Sequence, residues 1–161
     1  MSDAAQPDAA KPDAPQAGAA VSIRRVREAD AAAVAELNGQ LGYPGAVDDV
    51  RERLVAIEKV TSQVVFVACL GKEVIAWIDV ALTLHLQSRP FALIGGLVVR
   101  DGHRGMRVGR RLCEAAEAWA REQGVRVMRV TSRSTRADAH RFYLRGGYKE
   151  VKTSCVFEKE L

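Results

Sequence analysis

One stretch constrains the fold of this chain more than any other. From Val74 to Leu86 the residues alternate, with Val74, Ala76, Ile78, Val80, Leu82, Leu84 and Leu86 on one side and Ile75, Trp77, Asp79, Ala81, Thr83 and His85 on the other. Successive side chains leave a pleated backbone on opposite faces, so this alternation predicts a long β-strand. The first face is wholly apolar and is expected in the core. The second is half polar, so it is either solvated or lines a pocket. The run Val64–Leu70 precedes it through Gly71-Lys72-Glu73 and predicts a β-hairpin. Phe91–Val99 predicts the next strand, interrupted by Gly95-Gly96. Glycine inside a strand marks a bulge or a close approach by a ligand.

Helices flank this sheet. Asp30 is placed to cap a helix with Val34, Leu37 and Leu41 on one face, and Asp48 and Asp49 open a second with Val50, Leu54 and Ile57. A third spans about Val108–Gln123, with a core stripe of Val108, Leu112, Ala115 and Trp119 and Gly124 to end it. Val125–Thr131 predicts a strand, Ala137–Arg145 a short helix, and Thr153–Glu158 a last strand. With a first strand over Ser22–Arg27, the order is β-α-α-β-β-β-α-β-α-β. That order argues for an α/β fold, a mixed sheet with helices on both faces.

The 161 residues suit one domain over residues 21–161. Residues 1–20 are rich in Ala and Pro, with no aromatic side chain, and are expected to be a disordered tail. The tail carries Asp3, Asp8 and Asp13 against Lys11, so a chain at +4 leaves +6 on the domain. A basic domain suits anionic ligands. No apolar run approaches the ~18 residues of a membrane span, and the start lacks the pattern of a secretory signal. Cys69, Cys113 and Cys155 are odd in number and lack metal-ligand spacing, so buried inert thiols, no metal and a reducing, cytoplasmic setting are expected.

Between the fourth strand and its helix lies His103-Arg104-Gly105-Met106-Arg107-Val108-Gly109-Arg110. A glycine-containing turn leading into an arginine-rich helix N-terminus offers unpaired N–H groups and partial positive charge, which suits a phosphate. This loop resembles the pyrophosphate loop of the GNAT N-acetyltransferase superfamily, Arg/Gln-x-x-Gly-x-Gly/Ala. Arg104, Val108 and Gly109 match its first, fifth and sixth positions, and Arg107 stands where the family usually has glycine. Gly96-Leu97-Val98-Val99 is similar to the family's splayed strand, and Ala139-His140-Arg141-Phe142-Tyr143 with Gly147-Tyr148 to its late helix and turn. The Asp138–Arg145 run and Leu84-His85-Leu86 also resemble aminoalkylphosphonate acetyltransferases.

The resemblance implies a mostly antiparallel sheet splayed between strands 4 and 5, and acetyl-CoA as co-substrate. It implies donor contacts from Leu97, Val98 and Val99, from Arg104 through Arg110, and from Phe142 and Tyr143. The activity implied is direct transfer of an acetyl group to the primary amine of a small molecule. Tyr143 would protonate the departing thiolate, and a backbone N–H near Val98 would polarise the carbonyl. The family's strand-4 glutamate is replaced by Gly95, which leaves His85 and Asp79 as candidate bases. Packing is the alternative role for Phe142, Tyr143 and Tyr148. A non-catalytic acyl-CoA sensor is the alternative function. Nucleic-acid binding through the arginines is disfavoured because interleaved surface aromatics are missing. A homodimer is left open.

Overall fold

A computed structural model describes residues 20–161; the expected tail, up to residue 19, lies outside the described residues. The elements are β1 (Val21–Arg25), a 3-10 turn (Glu28–Asp30), α1 (Ala31–Leu41), α2 (Val47–Glu58), β2 (Gln63–Leu70), β3 (Glu73–His85), β4 (Ser88–Val99), α3 (Val108–Glu122), β5 (Met128–Val130) and α4 (Ala137–Arg145). The five strands lie in sequence order, antiparallel except for the parallel pair β4–β5. Among the described residues, no helix is long and apolar enough to cross a membrane.

The expected apolar face of β3 is broken near its start. Residues Val74 and Ala76 pair with Cys69 and Ala68, so Ile75 is an extra residue in the ladder. This bulge shifts the alternation by one. Ile75, Ala76, Ile78 and Val80 pack under α3 with Leu112, Ala116 and Trp119. Val74 joins Trp77, Val65, Val67 and Val98 beneath α1 and α2, against Val34, Leu37 and Leu54. Helices therefore cover both faces, each burying its own apolar stripe. Leu84 and Leu86 lie outside either core, at 79% and 108% exposure, because β3 runs past the helices into its hairpin.

Four further expectations change. Ala115 is only half-buried and the fully buried Ala116 takes its place in the α3 stripe. Asp30 makes no side-chain cap to α1. Its buried carboxylate instead accepts from Arg27 N at 2.8 Å and from both terminal nitrogens of Arg24 at 2.7 and 2.8 Å, which holds it below the usual carboxylate range. Cys69 and Cys113 are buried, but Cys155 is exposed. No strand forms over Thr153–Glu158; residues 149–161 carry neither helix nor strand, and Val156 and Phe157 are each 93% exposed.

Candidate active site

The site is built around a second bulge. Asp79 pairs with Gly96 while Val80 pairs with Ile94, so Gly95 and Gly96 together oppose one residue of β3. A bulge bends its strand and increases the local twist. The pairing of β4 with β5 runs over Ala92, Leu93 and Ile94 and stops at the residue before the bulge. Past it, Leu97, Val98 and Val99 remain paired to β3 but part from β5. Sheet edges of this kind accept an extended ligand through main-chain hydrogen bonds. Gln40 ties the far end of β4 to α1, donating to the Val99 carbonyl at 2.8 Å and accepting from Asp101 N at 2.9 Å.

The two glycines are required by what lies beside them. A Cβ on Gly96 would sit 2.5 Å from Cη2 of Trp77, whose indole lies against the strand. A Cβ on Gly95 would sit 2.5 Å from Oδ1 and 2.9 Å from Oδ2 of Asp79. The carboxylate of Asp79 thus fills the space that a residue-95 side chain would enter. Burial raises its pKa, and a hydrogen bond from Gly95 N–H opposes that rise. A partly buried carboxylate whose pKa is pushed toward neutrality is suited to general-base work.

Asp79 faces a cavity of about 190 Å³ between α1, α2 and the sheet, lined by Val34, Asn38, Val50, Arg53, Leu54, Ile57, Val65 and Trp77. The sequence reading missed Asn38 and Arg53. Asn38 carried a signal, because it lies one turn beyond Val34 on the buried stripe of α1. Arg53 carried none, since an arginine beside Leu54 reads as helix surface. His85 is not brought to this cavity. It is exposed at the hairpin end of β3, edge-on to Phe91 at 5.3 Å, six residues and ~20 Å along the strand from Asp79.

At the start of α3, Arg107 has φ 59° and ψ 12°, and Gly105 has φ 86°. The left-handed conformation is one that glycine adopts without strain, so Arg107 keeps the backbone shape of a glycine position. Among the described residues, no main-chain hydrogen bond outside helices and strands is donated by the amides of Arg107 through Arg110. These orphan donors and the helix dipole fit a pyrophosphate. Arg104 pairs with Asp101 and Arg110 with Glu114, each at 2.9 Å, whereas Arg107 has no ion pair among the described residues. The side chain of Met106 is exposed and that of Val108 buried, so these two would reach a donor through backbone amides.

Phe142 packs on Gly109, where a Cβ would come within 3.3 Å of its ring, so it fixes α4 against the start of α3. Tyr143 lies between Phe142 and Tyr148, ring centroids 5.1 and 5.4 Å away. Burial, and a smaller contribution from nearby Cys113, raise the phenol's pKa; the Cys113 thiol is itself pushed up to about 12 by burial. Tyr143 therefore stays protonated at neutral pH. His140 Nε2 donates to the Arg133 carbonyl, 3.0 Å away, at the entrance to α4.

A family model described as Acetyltransferase (GNAT) family matches residues 29–148. The chain belongs to that family. It is 31% identical over 147 residues to an aminoglycoside N(6')-acetyltransferase type 1 of Stenotrophomonas maltophilia, covering 88% of this chain and 95% of that protein. It is 38% identical over 79 residues to an aminoalkylphosphonate N-acetyltransferase of Salmonella typhimurium, covering 48% of this chain and 51% of that protein. The structure of aminoglycoside N-acetyltransferase AAC(6')-Iy in complex with CoA has a TM-score of 0.81 at 18% identity, covering 91% of this chain and 99% of that one. This GNAT chain is thus an acetyl-CoA-dependent N-acetyltransferase, with the expected splayed sheet.

Proposed function

We propose that the chain acetylates the primary amine of a small molecule held in the α1–α2 cavity, with Asp79 as the general base and Tyr143 as the hydrogen-bond donor to the leaving sulfur. One observation carries this reading: the Asp79 carboxylate occupies the place left by the missing side chain at residue 95, beside the free half of β4. The non-catalytic sensor loses its main argument, which was the absence of a carboxylate here.

Bound acetyl-CoA would supply an activated thioester. The loop amides from Arg104 to Gly109, with the Arg107 guanidinium, would hold its pyrophosphate, and Leu97 and Val99, whose main-chain groups face away from β3, would pair with its pantetheine arm. The Leu97 N–H, which points away from β3, would polarise the acetyl carbonyl. Asp79 would take a proton from the amine as its nitrogen bonds to the carbonyl carbon. As the C–S bond breaks, the Tyr143 O–H would hydrogen-bond to the departing sulfur, which leaves as a thiolate and takes up a proton from solvent. Because burial raises the phenol above ~10, complete transfer to a thiolate is uphill, so Tyr143 acts mainly as a hydrogen-bond donor. The three unpaired thiols suit a reducing compartment such as the cytoplasm.

Acetyl-CoA should raise the thermal midpoint of the protein, because it binds the folded state. Asp79→Asn should keep that rise but lose ~10²–10⁴-fold in kcat, followed by thiol release against a panel of amines. Parent-like kcat in this variant would remove Asp79 from the chemistry.

A further inference from the structure

We propose that the acceptor is a short primary amine carrying an oxyanion, not a polycation. This inference rests on Asp79 being the amine-side base. The cavity holds one charge of each sign: Asp79 beside the β4 bulge, and Arg53 on α2. Arg53 is exposed and makes no ion pair among the described residues, whereas its neighbour Arg51 is engaged by Asp48 and Glu28. Between the two charges the walls are Val34, Val50, Leu54 and Val65, with Asn38 and the Trp77 indole as the other polar side chains.

A ligand that satisfies this arrangement has an ammonium group at one end, a short apolar spacer, and a carboxylate or phosphonate at the other. An arginine fork matches either oxyanion. A second ammonium would meet Arg53 with no further carboxylate in the cavity. Size argues the same way. About 190 Å³ lies below the ~300–1,000 Å³ of pockets that enclose drug-sized ligands. An amino sugar with several rings would leave most of its bulk outside.

The test uses the full chain with acetyl-CoA and four matched acceptors: 3-aminopropanoate, 2-aminoethylphosphonate, propylamine and 1,3-diaminopropane, with a polycationic aminoglycoside as a fifth. Either anionic amine is expected to exceed propylamine about tenfold in kcat/KM, the scale of one charge-assisted hydrogen bond, and to exceed the diamine by more. The first two acceptors distinguish carboxylate from phosphonate. Arg53→Gln should shrink the advantage over propylamine to within about twofold, through KM, and Arg53→Glu should turn the preference toward the diamine. Thermal midpoints with and without acetyl-CoA establish that both variants fold and bind donor. Equal or better turnover of the diamine or aminoglycoside, or a preference untouched at Arg53, overturns the proposal. Binding of the same acceptors to the enzyme–CoA complex separates the two readings. Preferential binding of the anionic amines without turnover supports the cavity assignment and withdraws the catalytic role of Asp79. Binding without preference overturns the cavity assignment.

Discussion

Gly95→Ala should damage catalysis although alanine is the smallest side chain that can be added. Its Cβ would fall 2.5 Å from Asp79 Oδ1, about 0.9 Å inside the 3.4 Å at which ordinary contact begins. The carboxylate must move by roughly that amount, and an N–H···O bond in the ~2.7–3.2 Å range does not survive such a shift. Asp79 then loses the hydrogen bond from Gly95 N–H and its alignment toward the amine. A hydrogen bond to a charged group contributes ~1.5–3 kcal/mol, which at ~1.36 kcal/mol per decade predicts roughly a 10- to 150-fold fall in kcat. The stronger test is reciprocal. Asp79→Gly empties the space, and Gly95→Glu on that background returns a carboxylate from the neighbouring strand. Kinetics by thiol release, with thermal midpoints to confirm folding, should show the double variant at least tenfold above Asp79→Gly alone and above Gly95→Glu alone. Parent-like kcat in Gly95→Ala, or a double variant no better than the worse single, would refute the argument that the two positions share one site.

Other expectations follow from the same geometry. Tyr143→Phe keeps the ring between Phe142 and Tyr148 but removes the donor, so kcat should fall ~10²-fold or more while the acetyl-CoA thermal shift persists; an unchanged kcat would leave the phenol a packing role. Arg107→Gly should relieve ~1 kcal/mol of left-handed strain and raise the thermal midpoint by ~2–4 °C, whereas Arg107→Ala keeps the strain. Both should weaken CoA binding if the guanidinium reaches the phosphates, which calorimetry would read. Asp30→Asn should cost ~1.5–3 kcal/mol at neutral pH in denaturant melts. The folded-state pKa of Asp30 is depressed, so its contribution is present above the unfolded value and is lost as pH falls through the folded one. Asp79 has the opposite sign. Its raised pKa means that stability falls as pH rises through the carboxylate range toward the folded value, so Asp79→Asn should melt higher than the parent near pH 8 and alike near pH 3.

The alternation of β3, the Gly95-Gly96 interruption and the loop before α3 were legible because each depends on local backbone chemistry. Period-two patterning fixes which faces exist, and glycine pairs mark where a strand bends. The bulge at Ile75 was not legible, since nothing in Val74-Ile75-Ala76 distinguishes an extra residue from a continuous strand. Its consequence was a wrong face for Val74. His85 and Asp79 shared a face on paper, but a face says nothing of distance along the strand, and one residue reached the cavity while the other reached solvent. That Asp79 stands in for residue 95 depends on register between two strands, which no single-chain pattern supplies. Thr153–Glu158 shows the limit from the other side. Its residues favour a strand, but strand propensity reflects packing on a sheet, and here no neighbour is supplied.

The two sides of the splay are anchored very differently. Strand β4 is braced along β3 and pinned at its end, where Arg100 reaches Glu36 of α1, Glu73 and the Val74 carbonyl while Gln40 holds Val99. Opposite it, β5 touches the sheet over three residues, and α4 is stitched on by Phe142 and by Arg136 reaching back to the Leu41 carbonyl. The cleft therefore has one stiff jaw and one compliant jaw. On the proposed mechanism, alignment of Asp79 and the acyl group would belong to the stiff side. Breathing to admit a long donor and release its spent thiol would then fall to the other, and variants that loosen β5 or α4 should change donor binding and release more than the chemical step.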